Sequence, residues 1–281
     1  MNRWGTWVWL AVAALLGANA CGGSPTTPGP QPQPPPANNP PVIESLTVSP
    51  TRLEVGAQAA LTATVRDAET PVASLTYQWS ASAGSFTGQS GSSASWRAPE
   101  GISTPQDFPL TLTVVEQYGT STPRAEHRVS STADPVRVHN SPRELSDMTL
   151  AFLGYFADNR VSAADAVRDF ADSCSGKVEE RADVQRIRDY FQVLSSSFSV
   201  RSVNINTAGT QANISAPCSF ESRYTACSPD LPGCVVGAID RPLGECVFTA
   251  RYESRRWWLC TSNFVPSSTL SPLMRSILVD K

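Results

Sequence analysis

Two periods of hydrophobic and polar residues divide this chain. Between Val42 and about Val138 the apolar residues recur at every second position. Leu61, Ala63 and Val65 alternate with threonines and Arg66, Leu75 and Tyr77 run in step with Trp79, and Leu110, Leu112 and Val114 repeat the rule. Period two places one face of each segment inward, as in half-buried antiparallel strands. Turn signals separate the segments at Val55-Gly56, Ala83-Gly84, Thr87-Gly88, Gln89-Ser90-Gly91, Pro99-Glu100-Gly101 and Tyr118-Gly119. Many short strands in fewer than a hundred residues predict an all-β sandwich over 42–138.

At Ser141 the pattern changes. Ser141-Pro142-Arg143-Glu144 reads as a capping box with proline at the first helical position, and Leu145, Met148, Phe152 and Phe156 follow at helical spacing. A second helix start stands at Ser162-Ala163-Ala164-Asp165, with Ala166, Val167 and Phe170 inward. A third helix is predicted from about Glu179 to Leu194, burying Val184, Ile187, Phe191 and Leu194. The period then returns to two. Ala212, Ile214, Ala216, Cys218 and Phe220 share one face; Cys246, Phe248, Ala250 and Tyr252 share another; a turn at Ser254-Arg255-Arg256 leads into a last strand, Trp257 to Phe264. Three helices packed on an antiparallel sheet make residues 141–281 an α+β domain. The junction between Asp134-Pro135 and Asn140-Ser141-Pro142 carries two prolines, so the two domains are expected to fold separately.

The first twenty residues have a different character. Arg3 precedes an apolar run from Trp7 to Gly17, and Ala18-Asn19-Ala20 supplies a small-residue cleavage pattern. The run is shorter than the ~20 residues that span a bilayer. Residues 1–20 are therefore expected to be a signal peptide. Residues 24–41 hold nine prolines among polar residues. Such a segment favours extended polyproline II and, at ~3.1 Å per residue, reaches roughly 50 Å as a semi-rigid stalk. Cys21 followed by this Pro-rich linker would occupy residues 21–41.

Cysteine usage fits that address. Of seven cysteines, six (Cys174, Cys218, Cys227, Cys234, Cys246 and Cys260) lie in the last 110 residues. Spacings of eight, six, eleven and thirteen residues between the last five contain no C-x₂-C pair, and no histidine follows His139. Disulfides are therefore expected rather than a metal site. Cys227–Cys234 is the preferred local pair, because the loop it closes is short, and Cys174 is placed to reach Cys218 or Cys260. At a net charge of −3 and without a basic run, the chain is not expected to bind nucleic acid.

Three resemblances sharpen these readings. Ala18-Asn19-Ala20-Cys21-Gly22-Gly23 resembles the bacterial lipobox, although that family usually has leucine where Ala18 stands. The resemblance implies a palmitate-bearing lipoprotein of the outer membrane, facing the periplasm or the cell surface. Tyr77-Gln78-Trp79, Ala83-Gly84-Ser85-Phe86, Trp96-Arg97-Ala98-Pro99 and Leu110-Thr111-Leu112-Thr113-Val114 resemble bacterial immunoglobulin-like and polycystic-kidney-disease-type repeats, without the acidic turn those often carry. Such domains act as spacers or adhesive modules. The element order over about 142–266 resembles the nuclear transport factor 2-like fold, in which helices close over a curved sheet and leave a cone-shaped pocket. The segment from Tyr224 to Glu245 is an insertion relative to that pattern.

Candidate chemistry is sparse. Both histidines, His127 and His139, precede the helical domain, so a Ser-His-Asp or Cys-His arrangement within it is not expected. Asp165, Asp169 and Asp172 are spaced as one helical face and read as solvated; Asp189 and Glu221 read as surface groups near Arg186 and Arg223. Trp257 and Trp258 point to opposite faces of a strand, leaving one ring in the core and the other exposed or under a helix, where it reads first as incidental surface and second as a platform for a saccharide or apolar ligand. No catalytic residue, metal ligand or cofactor is expected. The reading is a non-catalytic envelope lipoprotein whose C-terminal domain binds a protein or small ligand; the alternative is a hydrolase or isomerase using a cone pocket.

Overall fold

The computed structural model describes residues 37–227, 234–267 and 269–279. The expected signal peptide, Cys21 and most of the stalk lie outside the described residues. Among these residues no helix is long and apolar enough to cross a membrane. The chain is mostly β, in several sheets that are largely antiparallel.

Ten strands make the first half: β1 (Val42–Ser49), β2 (Arg52–Glu54), β3 (Gln58–Arg66), β4 (Thr76–Ala81), β5 (Ser85–Ser90), β6 (Ser93–Arg97), β7 (Gln106–Phe108), β8 (Leu110–Tyr118), β9 (Ala125–Thr132) and β10 (Val136–His139). They form sheets in the orders β1-β3-β6-β5, β4-β8-β9 and β2-β10-β7, the last containing a parallel β2–β10 pair. Alternation in β3 and β8 puts Leu61, Leu110, Leu112 and Val114 into one core around Trp96. Trp96 is fully buried, with its Nε1 donating to the Ala83 carbonyl at 3.0 Å; Trp79 lies nearer the rim. The Ala83-Gly84 turn has a packing cause. Gly84 has φ +85°, and a Cβ there would come within 2.6 Å of the Trp96 indole nitrogen.

The second half follows directly: α1 (Ser141–Ala157), α2 (Ala163–Ala166), α3 (Gly176–Tyr190), β11 (Phe191–Phe198), β12 (Ser202–Ile205), β13 (Gln211–Tyr224), β14 (Ile239–Asp240), β15 (Leu243–Glu253), β16 (Arg256–Pro266) and α4 (Pro272–Leu278). Its sheet runs β11-β13-β15-β16, with β12 and β14 paired to β13. Strict alternation along β13 buries every second residue, and α1, α3 and α4 share a core with that face.

Several sequence expectations need correction here. The α1 cap is Asn140, one residue earlier than expected: its side chain accepts from the Arg143 amide, while Glu144 accepts from the Asn140 amide. Ser141 is thereby freed for other bonds. The third helix stops at Tyr190, because Phe191 enters a strand paired with Tyr224. A bulge between Val193 and Ser195 turns Leu194 outward, 39% exposed. The second helix is a single turn, so Asp165, Asp169 and Asp172 do not share a helix. Beyond it the chain is drawn to the edge of β16, where Leu259 donates to the Asp169 carbonyl and accepts from the Ala171 amide. Helix α4 lies past the residues assigned to any element by pattern, although Ser271-Pro272 is a complete start signal.

Candidate functional site

Inside the second half, α1, α3 and α4 share a core with one face of β13, β15 and β16. Phe152, Phe156, Phe220, Phe248 and Phe264 crowd this space, and Leu273, Met274, Ile277 and Leu278 of α4 close it. The remaining cavity is about 30 Å³. That is room for about two water molecules and no organic substrate. Two carboxylates line it, Glu180 and Asp183, at 3% and 4% exposure. Glu180 accepts from the Ser262 amide on the edge of β16 at 3.3 Å, and Asp183 pairs with Arg186. Sequence reading passed over both. The signal was their phase, since residues 180, 183, 184 and 187 form one helical face and two of those are acidic.

A second constellation joins the two halves, which lie within one compact unit over Asn39–Lys281. His139, at the end of β10, is fully buried. Its Nδ1 is 2.9 Å from Glu144 Oε2, and its Nε2 is 3.0 Å from the Tyr252 hydroxyl. An ionised carboxylate only accepts, so Nδ1–H donates to Glu144 and the tyrosine O–H can donate to Nε2. Burial pushes Glu144 up, but the hydrogen bond and charge of His139, with bonds from Thr104 and the Asn140 amide, hold it below the usual carboxylate value. His139 precedes α1 yet sits against Tyr252 of β15.

Ser141 makes the next link. It donates through Oγ to Glu54 Oε1 at 2.6 Å and through its amide to Glu54 Oε2 at 2.9 Å, while its Oγ accepts from Trp257 Nε1 at 2.8 Å. Arg52 stacks on the Tyr252 ring at 3.7 Å and donates to the Gly209 carbonyl. The tip of the β15–β16 hairpin completes the junction. Ser254 and Arg255 both have positive φ, and Arg255 reaches Asp107 while its carbonyl accepts from Arg137.

Above this network lies a cleft of about 760 Å³. Its walls are the Gly101–Pro105 loop, Arg137, the first turns of α1 with Arg143, Glu144, Asp147 and Met148, and the start of β16 with Arg256 and Trp257.

The remaining sequence candidates are dispersed. Trp257 is buried and bonded to Ser141, with an edge on the cleft. Trp258 is half-buried on the other sheet face, with the Arg256 guanidinium 3.8 Å over its ring. Asp169 accepts from Arg256, Asp172 from Lys177, Asp189 from Gln185 and Glu221 from Arg241. Arg186 and Arg223 are not the partners of the last two.

The six cysteines stand in three pairs at disulfide distance: Cys174–Cys260, Cys218–Cys246 and Cys227–Cys234, with Cα separations of 5.2, 5.9 and 5.7 Å. Cys174 occupies the turn before α3. Cys260 is the extra residue of a bulge in β16, which aims its side chain at Cys174. Among the described residues no cluster of His, Cys, Asp and Glu is arranged to hold a metal ion.

No protein-family model matches the chain, and no curated protein matches it. Similar solved structures include a conserved protein from Planctomyces limnophilus, at 14% identity over 44% of this chain and 95% of that chain, with a TM-score of 0.33. A candidate scytalone dehydratase from Novosphingobium aromaticivorans is similar at 15% identity over 46% and 85%, with a TM-score of 0.35. A candidate aromatic ring hydroxylase from the same organism is similar at 15% identity over 46% and 90%, with a TM-score of 0.33. None of these likenesses assigns an activity to this chain.

Proposed function

We propose that this chain is a non-catalytic lipoprotein of the bacterial cell envelope. In this reading Cys21 carries the lipid, an immunoglobulin-like sandwich serves as spacer, and an α+β domain of the nuclear transport factor 2-like type binds a ligand or protein. The carrying observation is the filled interior of the second half. A cone that is to process a substrate needs hundreds of Å³, and this one retains about 30 Å³. The address is supported by cysteine parity: six of seven cysteines stand in pairs, and the seventh is the one after the cleavage pattern. Three disulfides fit an oxidising compartment. Intact-mass analysis of the membrane-extracted protein tests the anchor. The expected product starts at Cys21 with diacylglyceryl and acyl mass; retention of residues 1–20 or an unmodified Cys21 overturns it.

One observation favours an enzyme instead, namely the buried Glu180 and Asp183, since desolvated acids in a cavity are common catalytic groups. Turnover of any ester or enolisable substrate, lost in Asp183→Asn with the melting curve retained, would establish that reading.

A further inference from the structure

The cleft at the junction is built differently from the closed interior. Its volume of about 760 Å³ falls in the range that encloses a small organic molecule. Three arginines line it beside two carboxylates, and Asp107 and Asp169, which are not among its walls, pair with Arg137 and Arg256. The carboxylates are engaged: Glu144 accepts from His139 and the Asn140 amide, and Asp147 stands 3.6 Å from Arg143.

The arginines are engaged only in part. Arg137 spends Nε on the Arg255 carbonyl and Nη1 on Asp107. Arg256 spends Nε on the Trp257 carbonyl and Nη2 on Asp169, with its face stacked on Trp258. A guanidinium has five N–H donors, so each keeps a terminal edge for a ligand while its position is already fixed. Arg143 is 75% exposed and meets Asp147 through Nε, which leaves its terminal nitrogens for an occupant. The N-terminal turn of α1 adds its positive dipole end to the same wall. Ile102, Pro105 and Met148 supply apolar surface beside these charges.

We infer that this cleft binds a small organic anion, its carboxylate or phosphate held by Arg137, Arg143 and Arg256 and its body lying on Ile102 and Met148. The site draws on both halves of the chain. The inference rests on the binding reading above and gives it a place and a ligand class.

Calorimetric titration of the mature full-length protein at low ionic strength tests it, with benzoate, glucuronate, inorganic phosphate and glucose 6-phosphate as probes and glucose and benzyl alcohol as uncharged counterparts. At least one anion should bind at one site while the uncharged counterparts do not, and added salt should weaken binding. Binding confined to benzoate and glucuronate identifies a carboxylate site; binding confined to the phosphates identifies a phosphate site. Arg143→Glu, a surface change that leaves folding intact, should lower the affinity at least about tenfold, since it removes a charge-assisted bond and adds a like charge. Arg256→Gln should lower it too, and Arg241→Glu, an exposed control in the connection between β14 and β15, should not. No binding by any of the four anions, or binding that Arg143→Glu and Arg256→Gln leave unchanged, overturns the inference. A ligand found instead in the interior of the second half would sink this site and keep the binding reading. Turnover of an anion bound in the cleft would do the reverse.

Discussion

Single residues decide how the two halves meet. Glu144 accepts from the amide of the α1 cap Asn140, bonds the buried His139 and lines the cleft. Its folded-state pKa lies below the ordinary glutamate value. A carboxyl group with a depressed folded value stabilises the fold above the unfolded value, and the contribution disappears as pH falls through the folded one. The wild type should therefore melt above Glu144→Gln near neutrality, and the gap should close on acidification below the usual glutamate range. A gap that stays constant with pH would show that the charge plays no part. The capping role of Glu144 was legible in sequence; its bond to His139 and its place in the cleft were not. The pattern Ser-Pro-Arg-Glu announced a helix start, but the cap lies one residue earlier, and Ser141 is turned to Glu54 and Trp257 instead.

At the scale of elements, strict alternation was the reliable guide. The buried face of β13 and the inward set Cys246, Phe248, Ala250 and Tyr252 follow from period two alone. Phe191 and Leu194 misled because they fall in phase with Val184 and Ile187, and only pairing with β13 reassigns them. The start of α3 shows a constraint that no periodicity reveals. A Cβ on Gly176 would lie 2.1 Å from the Cys260 carbonyl oxygen, so α3 begins in direct contact with the β16 bulge beside the Cys174–Cys260 pair. Gly176→Ala should cost at least about 1–3 kcal/mol through overpacking. Gly154 in α1 has open space around its Cβ position, and Gly154→Ala should instead stabilise by about 0.4–1 kcal/mol. Thermal or denaturant unfolding of the two variants gives opposite signs; equal shifts would contradict the packing argument.

For the whole molecule, two self-contained cores coexist with a junction rich in buried hydrogen bonds. Each isolated half, 42–138 and 141–279, should still melt cooperatively, because each has its own apolar cluster. Each should also melt lower than in the intact chain, since isolation leaves Glu54 and Ser141 without each other and Tyr252 without His139. Separate calorimetric scans check this; a first half with no cooperative transition would place the boundary elsewhere. The cleft was invisible in sequence for a related reason. Its walls come from residues 101–105, 137, 143–148 and 256–257, which no local pattern connects.

The parallel β2–β10 pair has a mechanical consequence. The chain enters β2 from the N-terminal side and leaves β10 toward α1, so tension between the N-terminal end and the second half pulls these two strands lengthwise past each other. Their bonds are loaded in shear and must fail together, not one by one as in a peeled hairpin. A protein tethered at one end and gripped at the other would resist extension at this short clamp, and the joint beyond it would stay closed until the clamp slips.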